Sequence, residues 1–253
     1  MPRLKHRAAV ITGAGHGIGR AIAHAFAREG AAVQCLDIDE AAAAHVAGEL
    51  VAQGARAIHA RCDVRDSSAV AAGIEAAVAA FGGLDIAVAN AAVMTPTLPV
   101  DELAQSDWQT ALDVNLTGAF LVCKHAVPRL RARGGGAVIL TASQMGRVAY
   151  HGQAAYCATK GALIQLAKVM ALDHAKDNIR VNTLSPGGTA TRRLATRYGD
   201  LDTAQAQWGA PMHPLGRLGR PEEMADGAVF LASDESSFMT GADLLLDGGY
   251  SAQ

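Results

Sequence analysis

The chain has 253 residues, half of them apolar, with 22 lysines and arginines against 24 aspartates and glutamates. A net charge of −2 gives no basic footprint for nucleic acid, and a charged share of only 18% argues against disorder. No apolar run approaches the ~18 residues that a membrane span needs, so a soluble chain with a full hydrophobic core is expected.

The first segment, "MPRLKHRAAVITGAG", starts basic but has only about five apolar residues before its glycines, so it does not read as a signal peptide. From there, short apolar runs alternate with stretches of helical period. Strands are expected at 8–12, 31–36, 55–60, 84–89, 136–141, 179–184 and 244–247. Helices are expected at 17–29, 40–53, 67–81, 101–133, 153–176 and 221–232. Apolar runs without polar alternation suggest strands buried on both faces, as in a parallel sheet covered by helices. The alternation favours a three-layer, doubly wound α/β fold, and seven candidate strands fall short of a barrel's eight.

No linker or repeat divides the chain, so one domain over 1–253 is expected. The segment 187–220 lacks a clean period and holds Gly187, Gly188, Pro211, Pro214, Gly216 and Gly219. Placed after a strand's C-terminal end, it reads as a substrate lid or as a plain surface loop.

The stretch "VITGAGHGIGRAIAHAFAREG" (10–30) runs strand, glycine-rich turn, helix. Gly13, Gly17 and Gly19 let the backbone turn sharply and approach a pyrophosphate, and the helix start offers its amides. The spacing is Gly-x-x-x-Gly-x-Gly. The expected second strand ends at Asp37, 18 residues after Gly19. There a carboxylate accepts from both adenosine ribose hydroxyls and repels a 2′-phosphate, which favours NAD over NADP. His16 contacts a phosphate only if protonated. Asp63, in "CDV" at the expected end of the third strand, either meets the adenine amino group or is a solvated turn residue.

Together these features resemble the short-chain dehydrogenase/reductase family over almost the whole chain. The resemblance rests on "TGAGHGIG" (12–19), "ANAA" (89–92), "VNLTG" (114–118), "ILTAS" (139–143), "YCATK" (156–160), "RVNTLSPG" (180–187) and "DGGY" (247–250). Ala89 and Ala92 stand where the family usually has Asn and Gly, while Asn90 keeps a contact to the central strand. The resemblance implies a seven-stranded parallel Rossmann sheet and a catalytic set of Asn115, Ser143, Tyr156 and Lys160. It gives Asn115 a helix kink and a water that links Lys160 to solvent. Thr189 would hold the nicotinamide carboxamide and Thr191 the pyrophosphate. Ile18, Ile38, Val64, Ala91, Pro186 and Gly187 complete the expected cofactor contacts. A homotetramer, or less often a dimer, built partly from the 153–176 and 221–232 helices is also implied.

Taking hydride from a secondary alcohol leaves a hydroxyl proton to remove. A free tyrosine, with a pKa near 10, is rarely ionised at neutral pH. Lys160 lies four residues beyond Tyr156 on the same helix face, and its ammonium would favour the phenolate. It can also hold the nicotinamide ribose. Ser143 sits at the expected end of the fifth strand, where its hydroxyl can orient the substrate oxygen. Cys157 is the rival nucleophile, but it lacks a paired base and oxyanion hole and points about 100° from Tyr156. With Cys35, Cys62 and Cys123 it forms no Cys-x-x-Cys pair, so all four read as reduced thiols of a cytoplasmic protein.

Substrate contacts are expected from Ser143, Met145, Gln153, Tyr156, Gly188, Leu194 and Trp208, with Met94, Gln144, Arg192 and Arg193 nearby. They mix apolar walls with cations, which suits a carboxylated or sugar-like molecule; the arginines could equally face solvent or a partner subunit. No metal spacing is found among the histidines, and a structural metal at the Gln253 carboxylate is left open. The expected activity is NAD-dependent oxidation of a secondary alcohol, or reduction of its ketone. An NADPH-dependent 3-oxoacyl-thioester reductase and a catalytically silent NAD-binding sensor are the alternatives.

Overall fold

The computed structural model describes residues 2–252; Met1 and Gln253, with any metal at the Gln253 carboxylate, lie outside the described residues. The expected strands form as β1 (Ala8–Thr12), β2 (Ala32–Asp37), β3 (Ala57–Arg61), β4 (Ile86–Ala89), β5 (Gly136–Thr141), β6 (Ile179–Pro186) and β7 (Asp243–Leu246). They make one parallel sheet in the order β3-β2-β1-β4-β5-β6-β7. Ile11 of β1 is flanked by Cys35 of β2 and Val88 of β4, the point where the strand order reverses. A doubly wound sheet opens a crevice there, at the carboxyl ends of its strands.

Helices α1 (Gly17–Arg28), α2 (Glu40–Ala52), α3 (Ser67–Phe81), α4 (Gln105–Ala111), α5 (Gly118–Arg133) and α6 (Ala154–His174) precede the irregular segment 187–220. That segment holds α7 (Arg192–Tyr198), α8 (Leu201–Ala204) and α9 (Ala210–Met212), and α10 (Pro221–Ala232) follows it. Successive strand residues point to opposite faces, so Val10 and Ile11 enter different cores. Ile11, Val33 and Val88 pack with Ile22 and Phe26 of α1, Leu50 of α2 and Val229 of α10. Val10, Leu36 and Leu140 pack with Ile74 of α3, Leu130 of α5 and Leu163 of α6. Each such fully buried side chain contributes roughly 1.5–3 kcal/mol of transfer free energy. Asp39 and Asp66 cap α2 and α3 by accepting from Ala42 and Ser68 amides, which fixes where the strand-to-helix turns stop.

Three expectations change. The edge strands β3 and β7 are only partly buried, because each has a neighbour on one side alone. β3 ends at Arg61, so Asp63 does not close the strand. The Cys62 amide still donates to the Asp37 carbonyl, but the Arg65 amide then bonds the Asp63 carboxylate and turns the chain. The single helix expected over 101–133 starts at Gln105 and is interrupted by a π turn over Leu112–Thr117.

The segment 187–220 is ordered around a small core of its own. Ala204, Trp208 and Leu218 are buried together, with Met145, Tyr150, Leu194 and Tyr250 packed against them. Its base is closed by Gly219 donating to the Gly188 carbonyl at 2.8 Å and by Ala190 donating to the Gly219 carbonyl at 2.8 Å. The lack of a single period over 187–220 thus reflects several short helical turns.

Candidate active site

The glycine turn sits between β1 and α1, over the switch point. Gly13 takes φ +66, and a Cβ on Gly19 would stand 2.0 Å from the Gly13 carbonyl oxygen, so only glycine lets the helix start this close. The turn is tied to β4 by two side chains. Thr12 Oγ1 accepts from the Asn90 and Ala91 amides at 3.1 and 3.3 Å, and Asn90 Nδ2 donates to the Thr12 and Gly13 carbonyls at 3.0 and 3.2 Å. The contact expected of Asn90 therefore forms despite Ala89 and Ala92.

At the end of β2, Asp37 accepts the Gly15 amide on Oδ2 at 2.9 Å and the Asp39 amide on Oδ1 at 3.0 Å. Each oxygen keeps a lone pair for a ligand. His16 precedes α1 with its ring half-exposed and 3.6 Å from Asp39. Asp63 is gripped by Arg65 through bonds of 2.9 and 2.6 Å, and that bonding holds its carboxyl below the ordinary range.

The reactive end is built by β5, the π turn and α6. Lys160 is buried and donates to the Thr141 carbonyl at 2.6 Å; its Nζ lies 5.6 Å from the Tyr156 ring centre. Burial, and secondarily the charge of Arg193, push Lys160 down to about 7. Ser143 lies two residues past β5 and starts a short 3-10 turn, accepting the Met145 amide at 3.1 Å. It is thus a cap as well as a pocket residue, and its hydroxyl proton stays free to donate.

Asn115 is fully buried in the π turn. Its Oδ1 accepts from the Val93 amide at 2.7 Å, and its Nδ2 donates to the Val93 carbonyl at 3.0 Å and to Thr159 Oγ1 at 3.4 Å. Thr159 in turn donates to the Tyr156 carbonyl at 2.8 Å. The chain after β4 and the Tyr156 turn of α6 are therefore fixed to one amide side chain. π turns of this kind recur at functional sites.

These residues enclose a cavity of about 1070 Å³ along the strand ends. Every residue expected at the cofactor or substrate lines it, as do Ser143, Tyr156 and Lys160; Asn115 alone stands behind the wall. Cys157 is half-buried, does not line the cavity and is a free thiol. Thr97, Tyr150, Arg197 and Tyr198 also line it and escape sequence reasoning, since their spacing matches no motif. The Oγ1 atoms of Thr95 and Thr141 and the Oε1 atoms of Gln144 and Gln153 are buried there without a hydrogen-bond partner among the described residues. Orphaned polar atoms, a close-approach glycine turn and an acid at the second strand fit a dinucleotide with room for a small substrate.

The fold and this cavity define a dinucleotide-binding oxidoreductase. A family model described as Enoyl-(Acyl carrier protein) reductase matches residues 13–251. The chain is 41% identical to the cis-4-hydroxycyclohexanecarboxylate dehydrogenase of Sinomonas cyclohexanicum, covering 97% of each protein. It is 38% identical to the D-threitol dehydrogenase of Mycolicibacterium smegmatis, over 98% of this chain and 94% of that one. A crystal structure of a short-chain type dehydrogenase/reductase from Mycobacterium marinum superposes with a TM-score of 0.92 at 37% identity, covering 99% and 97% of the two chains. The chain belongs to the short-chain dehydrogenase/reductase family. It is an oxidoreductase of the kind that uses a nicotinamide cofactor. Among the described residues, no helix is long and apolar enough to cross a membrane.

Proposed function

We propose that the protein is an NAD-dependent dehydrogenase of secondary alcohols, working reversibly on the corresponding ketones. The observation that carries the reading is Tyr156 lining the cavity one helical turn before a buried Lys160, with the Ser143 hydroxyl lining the same cavity. The substrates named for the two relatives, a ring alcohol and an acyclic polyol, both present a secondary hydroxyl.

Bound NAD supplies the hydride acceptor. The chain's own residues do the rest. Ser143 donates to the substrate oxygen and orients it, since its other contact uses it only as an acceptor. Tyr156 takes the hydroxyl proton as general base and returns it as general acid in the reverse direction. A protonated Lys160 favours the Tyr156 phenolate, and Thr141 anchors its Nζ 5.6 Å from the ring centre, from where it would also hold the nicotinamide ribose. Asn115 keeps Val93 and the Tyr156 turn in place, and would seat the water that relays protons from Lys160. Gly13, Gly17, Gly19, Thr189 and Thr191 would hold the diphosphate and carboxamide.

Preference for NAD over NADP rests on charge. Asp37, Asp39 and Asp63 line the adenosine end, and Arg65 is already committed to Asp63. Among the described residues Asp37 has no cationic partner, so a 2′-phosphate there would meet an uncompensated carboxylate. The lid 187–220 would close over the substrate, and the protein would work in the cytoplasm as a homotetramer. Val169 and Leu172 of α6 are exposed apolar residues suited to an α6 interface, and Phe238 beyond α10 to a second. Oxidation of a panel of secondary alcohols with NAD, followed by nicotinamide absorbance, tests the reading. Turnover with NADPH on a 3-oxoacyl thioester alone would favour the reductase instead; no turnover of any alcohol or ketone would favour a silent NAD sensor.

A further inference from the structure

Helix α7 crosses the cavity from its cofactor end to its substrate end. At its start, Thr191 Cγ2 stands 3.3 Å from where a Cβ of Gly17 would lie, against the glycine turn. Arg197, six residues on, reaches the opposite wall, where its Nη2 donates to Thr97 Oγ1 at 2.8 Å. The same oxygen accepts from Gln153 Nε2 at 2.8 Å. Both lone pairs of the hydroxyl are then in use, so Thr97 can only donate further. The Arg197 guanidinium and the Thr97 hydroxyl are thus two donors beside Gln153, which is buried and borders the cavity with its acceptor Oε1 unpartnered.

No carboxylate balances this point. Elsewhere Arg3, Arg20, Arg65, Arg129, Arg131 and Arg217 each meet an acid at 2.6–2.8 Å. Among the described residues, neither Arg193 nor Arg197 forms an ion pair; Arg193 donates to the Ala92 carbonyl instead. The acids that line the cavity, Asp37, Asp39 and Asp63, all lie at the ends of β2 and β3, away from Thr97. Arg193 also acts electrostatically on Lys160, so its positive field reaches the reactive end.

We propose that the substrate carries a carboxylate and that Arg197, with the Thr97 hydroxyl, holds it. The inference rests on the reading of this cavity as a site of alcohol oxidation. An arginine fork and a hydroxyl donor on one oxyanion fix the far end of the molecule and so aim its hydroxyl at Tyr156 and Ser143. Tyr150 and Trp208, 4.9 Å apart edge to face, supply an aromatic corner of the cavity for the carbon skeleton.

The test is calorimetric titration of the NAD-loaded protein with cyclohexanecarboxylate and with its neutral analogue cyclohexanecarboxamide. The carboxylate should bind at least about tenfold tighter, as expected for charge-assisted bonds. Arg197→Gln should erase that preference while leaving carboxamide and NAD binding within about twofold, and Arg197→Lys should restore part of it. Equal binding of the two probes, or a preference that survives Arg197→Gln, would overturn the inference. Weakened NAD binding in Arg197→Gln would overturn it too, by assigning the arginine to the cofactor's phosphates. A parent protein that oxidises neutral alcohols but binds the two probes equally sinks this inference alone, whereas a preference in the parent protein without any alcohol turnover sinks the reaction assigned and not the anion site.

Discussion

The Gly188 amide donates to Nε2 of His213 at 3.2 Å, across 25 residues of the irregular segment 187–220. On the other side of the ring, Nδ1 lies 3.1 Å from the Gly209 carbonyl, so it carries the proton and Nε2 is the acceptor. His213 is buried against Trp208 and Tyr250 and ties the later part of segment 187–220 to its start just after β6. His213→Phe keeps an aromatic ring but leaves the Gly188 amide without its acceptor. An unpaired buried donor costs about 1–3 kcal/mol, or roughly 2–12 °C in unfolding midpoint for a chain of this size. Calorimetric melting should show that fall, with NAD bound several-fold more weakly because Gly187 and Thr189 lose their anchor.

Lys160 sets a pH dependence whose sign follows from burial. Below its folded value of about 7, both folded and unfolded chains carry the charge. Between there and the unfolded value near 10.4 the unfolded chain binds more protons, so stability rises with pH across that window. Cofactor-free protein should therefore gain midpoint from about pH 6 to about pH 9 relative to Lys160→Met. Parallel pH profiles would show that the buried amine does not titrate in this range.

Asp37 should decide between the two dinucleotides. Asp37→Ser removes the charge that faces a 2′-phosphate while its hydroxyl can still accept the Gly15 amide. The ratio of NADP to NAD affinity, read by fluorescence titration, should rise at least about tenfold. An unchanged ratio would move the discrimination elsewhere.

How much of this was legible in the sequence depends on how local each feature is. The glycine turn and the Tyr156–Lys160 pair each live within one turn of chain, and both stand where their spacing places them. The π turn at Asn115 leaves the apolar period undisturbed, because one altered turn inside a helix barely shifts it; only the family resemblance, which gives Asn115 a helix kink, points to it. Asp63 was set at a strand end that lies at Arg61, since the choice turned on a side-chain grip by Arg65. The Arg197–Thr97 and His213–Gly188 contacts join residues 100 and 25 positions apart, which only the folded chain brings together.

The thiols should be silent in the chemistry. Burial pushes Cys35 and Cys123 up to about 12 and Cys62 up to about 11. Iodoacetamide on the folded protein should label Cys157 alone, by peptide mass. Cys157→Ala should keep turnover within about twofold, the usual reach of a change outside the reacting groups.

The central claim is that Tyr156 moves the substrate proton. Steady-state oxidation of a secondary alcohol by Tyr156→Phe, with NAD binding measured alongside, tests it most directly. Loss of the general base should lower kcat by about 10²–10⁴-fold while NAD binds within about threefold of the parent chain. Turnover retained within about twofold, with NAD still bound, would contradict it.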